Sequence, residues 1–150
     1  MCNVDYPDSF IRGISDPNVV SKEGYATSGV FDFENYKGRA DKFREMSINW
    51  MDDEGAIDTL LNQHKPHKQD PQFKVGYAKV NKYLLDTFFN QYINERFLSY
   101  ERSPIEENVE EDIQRNPYHG NLLFNNDTSE AIRKNIQSSL ATLAGCVVKR

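Results

Sequence analysis

The sequence predicts an α+β fold, a single domain over residues 1–150 in which a small, mostly antiparallel sheet carries about four helices. A length of 150 residues is typical of one domain with one core. Apolar residues make up 38% of the chain and aromatic residues 12%, which is enough to build that core. Segments with strand periodicity and segments with helix periodicity follow each other without a repeat or a linker between them, an order typical of α+β proteins.

The clearest predicted strand covers residues 45–51. Met46, Ile48 and Trp50 alternate with polar residues, which is the period-2 pattern of a strand with one buried face. β-Branched and aromatic residues indicate further short strands. These lie near residues 9–14 and over 25–33, 73–77 and 122–124, and polar connections are expected at 34–44 and 62–72.

Two helices are predicted in the first two thirds of the chain. One follows Asp52-Asp53-Glu54, where Asp52 or Asp53 is expected to cap the helix, and ends before Pro66. The second covers 80–100, which contains no Gly or Pro and has apolar residues four apart. The density of aromatic residues leaves a pair of strands open as the alternative for 80–100.

Two more helices are predicted in the last third. Ser103, Pro104 and Glu106 have the spacing of a capping box with proline at the first helical position, which predicts a helix over 103–115. The last helix is expected to begin in 127–130 and to end at Gly145, a residue type common just after a helix.

The charge and the apolar pattern restrict the partners and the compartment. The net charge of −5 disfavours a nucleic-acid partner and favours a protein with a basic surface. With no signal peptide and no apolar run of membrane-spanning length, we expect a cytoplasmic protein without a membrane partner. Cys2 and Cys146 are expected to be reduced thiols, although a disulfide between them stays open.

The loop at 62–72 contains a candidate metal site. His64, His67 and Asp70 carry imidazole and carboxylate ligands at a spacing of three residues. Lys65 and Lys68 lie between them and would repel a cation, so we expect a solvated loop without a metal. The carboxylates of 52–54 could also serve metal binding or acid–base chemistry, but helix capping explains them from local sequence alone.

His119 is the first catalytic candidate, because it lies in the turn 116–121 and an imidazole is readily tuned near neutral pH. Arg12-Gly13 and the segment Tyr25-Ala26-Thr27-Ser28-Gly29 supply two more, Arg12 and Ser28. This pair of segments resembles the nicotinamide-binding core of ADP-ribosyltransferases, in which an Arg or His, a Ser/Thr motif and a Glu on three strands surround NAD. The resemblance implies a small NAD-using enzyme or a degenerate relative, but no late strand offers the matching Glu.

The leading functional hypothesis is a non-enzymatic, acidic protein-binding module without a cofactor. Phosphate-binding glycine loops and the common hydrolase and zinc motifs are absent from the sequence. The predicted helix 103–115 would expose four glutamates to a basic partner: Glu106, Glu107, Glu110 and Glu111. Immunity or inhibitor proteins and small accessory subunits of bacterial defence or secretion assemblies are of this type. The ADP-ribosyltransferase-like enzyme is the alternative.

Overall fold

The computed structural model describes residues 6–33, 43–88, 98–125 and 129–150. Over these residues the chain forms an antiparallel six-stranded sheet and three α-helices, which confirms the α+β class. The sheet is larger than predicted, and the described residues contain three α-helices where about four were expected. The strands are β1 (Ser9–Ile14), β2 (Phe43–Trp50), β3 (Gly76–Asn81), β4 (Leu98–Arg102), β5 (His119–Asn125) and β6 (Val148–Lys149), and the helices are α1 (Gly55–Leu61), α2 (Lys82–Phe88) and α3 (Glu130–Ala144).

The strand order is β4-β5-β2-β1-β3-β6, which places β2 and β1 at the centre of the sheet. The alternation predicted for β2 is confirmed, because Met46, Ile48 and Trp50 are buried in the main core. Ile136 and Leu140 of α3 belong to the same core. One face of the sheet is therefore buried against α3. The strand and helix periodicities of the local sequence specify the residues that pack there.

The opposite face of the sheet carries α1. Ile11 and Asn49 are partners in the β1–β2 register and lie on this face, and both are buried. The Asn49 side chain donates to the carbonyl oxygen of Ala56 in α1 over 3.1 Å. This face is covered only in part by a helix, and its remainder carries the polar cavity described below.

The predicted strand over 25–33 is wrong. Tyr25 and Ala26 form only isolated bridges, and Ser28–Val30 is a 3-10 helix. The Thr27 hydroxyl donates to the carbonyl oxygen of Val19 over 2.6 Å, which holds the chain in a turn. Burial of the apolar residues did not need a strand, since Val30, Phe31 and Phe33 all reach the core from this turn.

The prediction of a single long helix over 80–100 is wrong at both ends. Val80 belongs to β3 and Tyr100 to β4, and α2 begins only at Lys82. Both ends are strand residues because they complete ladders with distant segments, Val80 with β1 and Tyr100 with β5. Residues 89–97 lie outside the described part of the chain.

The predicted helix over 103–115 is also wrong, because this segment is a β-hairpin. The backbones of Ile105 and Asn116 exchange two hydrogen bonds of 2.9 Å, and those of Asn108 and Ile113 exchange two of 2.9 and 2.8 Å. Asp112 adopts a φ of 52° at the end of the tight turn. A helix would align Glu106 with Glu110 and Glu107 with Glu111, and like charges four residues apart destabilise a helix.

The last helix is confirmed. The Ser129 hydroxyl accepts from the backbone N–H of Ile132 over 3.3 Å as the N-cap, and Gly145 follows the helix with a φ of 65°.

Cys146 is an exposed free cysteine, and Cys2 lies outside the described residues. The connection expected at 34–44 also falls there, except that its last two residues begin β2. The strand expected over 73–77 begins at Gly76.

No helix in the described parts of the chain combines the length and the apolar character needed to cross a membrane.

Candidate functional site

Residues 103–118, called the acidic hairpin below, carry the four glutamates proposed to bind a partner. All four side chains are exposed, and no ion pair within the described residues involves any of them: Glu106, Glu107, Glu110 and Glu111. Val109 in the turn of the hairpin is 82% exposed, and Ile113 nearby is 38% exposed. The turn therefore displays an apolar side chain between unpaired carboxylates.

The acidic hairpin is held against the loop that follows α1. The Asp112 carboxylate accepts from the backbone N–H of His67 over 2.7 Å. The Gln114 side chain accepts from the backbone N–H of His64 over 2.9 Å and donates to the carbonyl oxygen of Asn62 over 3.1 Å. These contacts fix the distal half of the hairpin on a second segment of the protein.

The base of the acidic hairpin is fixed by a buried amide pair. Asn116 donates from Nδ2 to Oδ1 of Asn49 over 2.8 Å, and both side chains are almost completely buried. Oδ1 of Asn116 accepts from the backbone N–H of Tyr118 over 3.1 Å. Buried amides need such partners, so this pair locks the hairpin to the centre of the sheet.

The structure does not bring His64, His67 and Asp70 together as a metal site. His64 Nδ1 lies 2.9 Å from the carbonyl oxygen of Lys65 and 3.7 Å from the Asp112 carboxylate, whereas His67 and Asp70 are exposed. Among residues 6–33, 43–88, 98–125 and 129–150, no group of three or more His, Cys, Asp or Glu side chains is arranged to hold a metal ion.

The carboxylates at 52–54 have separate structural roles. Asp52 forms a bidentate ion pair with Arg102, at 2.6 and 3.0 Å. Asp53 accepts from the backbone N–H of Gly55 and from the Tyr118 hydroxyl, each over 2.8 Å. Asp53 thus satisfies the first backbone N–H of α1, although the residue at the N-cap position is Glu54, whose side chain makes no capping bond.

Arg12 and His119, two of the three catalytic candidates, line one cavity. This space, called the inner cavity below, has a volume of about 230 Å³ on the partly covered face of the sheet. Gly13, Leu60, Phe73 and Ile105 form its apolar wall. Its polar wall consists of Arg12, Ser47, Asn49, Gln63, Gln72 and His119.

The third candidate, Ser28, lies elsewhere. It is exposed on the 3-10 helix and does not line the inner cavity. Arg12 donates from Nε to the carbonyl oxygen of Val30 (3.1 Å) and from Nη1 to that of Ser47 (2.7 Å). The guanidinium therefore ties the 3-10 helix to β2.

His119 begins β5 and presents a defined tautomer. Its Nδ1 lies 2.8 Å from the carbonyl oxygen of Ser103. Because a carbonyl oxygen only accepts, Nδ1 carries the proton of the neutral ring and Nε2 has the free lone pair. Burial lowers the pKa of His119, while the bond to Ser103 and the charges of Glu45 and Glu101 act in the opposite direction. The ring is consequently a neutral acceptor at pH 7.

The lowered pKa of His119 predicts that the protein loses stability as the pH falls. The unfolded histidine, with a pKa of about 6.5, takes up its proton before the folded one does. The free energy of unfolding should therefore decrease as the pH falls below about 6.5, at up to about 1.4 kcal/mol per pH unit from this group. Urea unfolding at pH 7.5, 6.5 and 5.5 measures this slope.

Two variants isolate the contribution of His119 from those of the carboxylates. His119→Asn keeps an N–H donor for Ser103 but cannot titrate, so its stability should depend less on pH than that of the wild type. His67→Asn, the same substitution at an exposed histidine outside the inner cavity, is the control. Identical slopes in the wild type and His119→Asn would contradict the assignment.

A second concave site adjoins the inner cavity. This site, called the lysine cleft below, has a volume of about 310 Å³ and contains Lys65, Lys68 and Lys74. Gln72 lines both the lysine cleft and the inner cavity. Lys65 and Lys68 were expected only to repel a metal ion. Their spacing, together with Lys74 beyond Pro66 and Pro71, is the sequence signal for a basic site. The other residues of the cleft are Ser15, Asp16, Asp70 and Pro71.

No protein-family model matches this chain, and neither the search of curated proteins nor the search of solved structures found a match.

Proposed function

We propose that this protein is a non-enzymatic binding module that captures a partner protein with a basic surface through the acidic hairpin. The observation that carries the proposal is Val109, 82% exposed in the turn among four exposed and unpaired glutamates. An immunity or inhibitor protein, or a small accessory subunit of a bacterial defence or secretion assembly, would use such a surface.

The charges and the apolar side chain would contribute differently to binding. Glu106, Glu107, Glu110 and Glu111 would attract a basic surface over several ångströms and increase the rate of association. Val109 would enter an apolar site on the partner and slow dissociation, since buried apolar anchors supply much of the binding free energy at interfaces.

The fixed position of the acidic hairpin supports this role. The bonds of Asp112 and Gln114 to the 62–67 loop and the buried amide pair at the base order the hairpin before a partner arrives. A surface ordered in advance loses less conformational entropy on binding than a mobile loop does.

The double variant Glu107→Lys/Glu110→Lys tests the proposal. Because it reverses the charge at the turn, capture of the partner from a lysate of the native host should fall about tenfold or more at low salt. The difference between the wild type and the variant should shrink as salt is added, since salt screens exposed charges. Quantitative affinity capture at two salt concentrations measures both effects, and circular dichroism verifies folding.

Glu23→Lys/Asp58→Lys is the matched control, because both residues are exposed, lie outside the acidic hairpin and give the same change in net charge. Its capture should resemble that of the wild type. A second variant, Val109→Ser, should weaken capture at low and at high salt. Undiminished capture by the hairpin double variant would exclude the acidic hairpin as the binding surface.

A further inference from the structure

We propose that the inner cavity and the lysine cleft together bind a small phosphorylated ligand of the nucleotide type, with its heterocyclic base in the cavity and its phosphate in the cleft. The two spaces share Gln72 in their walls. This site is distinct from the turn of the acidic hairpin, and the inference does not depend on the proposed function.

The inner cavity presents unused hydrogen-bonding groups. Nε2 of His119 is an acceptor without a partner among the described residues, and the side-chain amides of Gln63 and Gln72 have none there either. An amide offers a donor and an acceptor side by side, which is the pattern that the edge of a nucleobase complements. A ligand that donates to His119 and pairs with the two amides satisfies all three groups.

The apolar wall and the volume of the inner cavity fit one ring system. Leu60, Phe73 and Ile105 provide surface for the faces of a planar heterocycle. Phe73 can occupy its position only because residue 13 is glycine: a Cβ there would lie 2.6 Å from Cε1 of the Phe73 ring. About 230 Å³ is below the range of roughly 300–1,000 Å³ that holds drug-sized ligands, so the cavity suits a base rather than a whole dinucleotide.

The lysine cleft has the charge for a phosphate. No ion pair within the described residues involves Lys65, Lys68 or Lys74, although the whole chain has a net charge of −5. Two carboxylates also line the cleft, and that of Asp16 already accepts from the backbone N–H of Asn18 over 2.9 Å; the other is Asp70. Three cations against two anions leave one net positive charge in the cleft, which attracts a phosphate group and offsets part of its charge.

The segment that carries two of the lysines is held in place. The backbone N–H of Gln72 donates to the carbonyl oxygen of Gln63 over 2.8 Å, and His64 forms a bridge with Pro71. These contacts close the loop 63–72 at its base, while the acidic hairpin anchors it from outside through His67 and His64. The lysines therefore extend from a defined backbone next to the inner cavity.

Calorimetric titration with three probes tests the site: adenosine or uridine 5′-monophosphate, the matching nucleoside, and inorganic phosphate. The nucleotide should bind at least about tenfold more tightly than either fragment, because each fragment fills only one of the two spaces. Its affinity should also fall with added salt, since the phosphate contacts are electrostatic.

Two variants assign the parts of the ligand to the two spaces. The triple substitution Lys65→Gln/Lys68→Gln/Lys74→Gln should reduce nucleotide affinity about tenfold or more and leave nucleoside binding unchanged. His119→Asn keeps a donor for Ser103 but removes Nε2, so it should weaken the nucleotide and the nucleoside and leave inorganic phosphate unaffected. Lys22→Gln/Lys79→Gln/Lys134→Gln, at three exposed lysines outside the cleft, is the control for net charge.

Three results would overturn the inference. Absence of binding by all three probes would exclude the site. Equal affinities for the nucleotide and for inorganic phosphate would show a site for an ion only. Unchanged nucleotide binding in the cleft triple variant would show that the phosphate does not lie among these lysines.

Discussion

Replacing Gly120 by alanine is expected to lower the free energy of unfolding by about 3 kcal/mol or more. A Cβ at this position would overlap Nε1 of Trp50 and the carbonyl oxygen of Glu101, and it would lie 2.7 Å from Cδ1 of Trp50. Neither neighbour can move cheaply. Trp50 is fully buried between Tyr6, Phe10 and Tyr100, and the carbonyl oxygen belongs to strand β4.

The overlap would also break a hydrogen bond. The indole N–H of Trp50 donates to the Glu101 carbonyl oxygen over 3.1 Å, at the point where a new methyl group would enter. Loss of a bond from a buried donor adds about 1–3 kcal/mol to the cost of overpacking. Urea unfolding measures the change in the free energy of unfolding.

Gly24→Ala separates steric overlap from the conformational preference of glycine. Gly24 has a φ of 90°, and nothing lies within 4 Å of a Cβ built there, so alanine would cost only about 1–2 kcal/mol of backbone strain. Gly120 does not have a positive φ, so its cost would come from packing alone. A Gly120→Ala protein as stable as Gly24→Ala would contradict the packing argument.

The elements predicted correctly are those whose burial follows from their own pattern. Met46, Ile48 and Trp50 alternate along β2, and nothing beyond that alternation is needed to know which face enters the core. The final helix likewise has a cap at Ser129 and a glycine at its end, so local chemistry and tertiary packing agree.

The acidic hairpin was wrongly predicted as a helix because its local sequence favours a helix, whereas its contacts with distant segments favour a hairpin. Ser103, Pro104 and Glu106 have the order of a capping box. A helix over 103–115 would present only three apolar residues on one side, so it would gain little from packing: Ile105, Val109 and Ile113. The hairpin, in contrast, gains the backbone hydrogen bonds between Ile105 and Asn116 and the bonds of Asp112 and Gln114 to the 62–67 loop. None of these partners is visible in the local sequence.

The inner cavity was unpredictable for a related reason. Arg12 and His119 come from separate segments of the sequence, and their presence in one cavity depends on the order of the strands. Asn49 pairs with Ile11 on one side and with His119 on the other, which brings β1 and β5 to the two flanks of β2. The pairing of strands so far apart in the chain depends on the complete fold, so it cannot be predicted from local sequence patterns.

Replacing Asn116 by alanine is expected to lower the free energy of unfolding by about 3 kcal/mol. The substitution leaves Oδ1 of Asn49 without its donor and the backbone N–H of Tyr118 without its acceptor. Each buried polar group that loses its partner costs about 1–3 kcal/mol. Because Asn49 is also bonded to Ala56, the damage should extend from the hairpin to α1. Thermal and urea unfolding measure the total.

The amide exchange of the acidic hairpin should change together with its stability. In Asn116→Ala, the N–H groups of Ile105 and Asn108 should exchange faster with solvent, since the amide pair that holds the hairpin base is gone. Asn108→Ala is the matched control. The Asn108 side chain is exposed, and among the described residues it bonds only to the backbone N–H of Glu111, over 3.1 Å, so the substitution should cost about 1 kcal/mol or less. If both variants lose the same stability, the buried pair does not anchor the hairpin.

If Asn116→Ala also weakens partner capture, the order of the hairpin contributes to binding separately from its charge, because this variant keeps all four glutamates: Glu106, Glu107, Glu110 and Glu111.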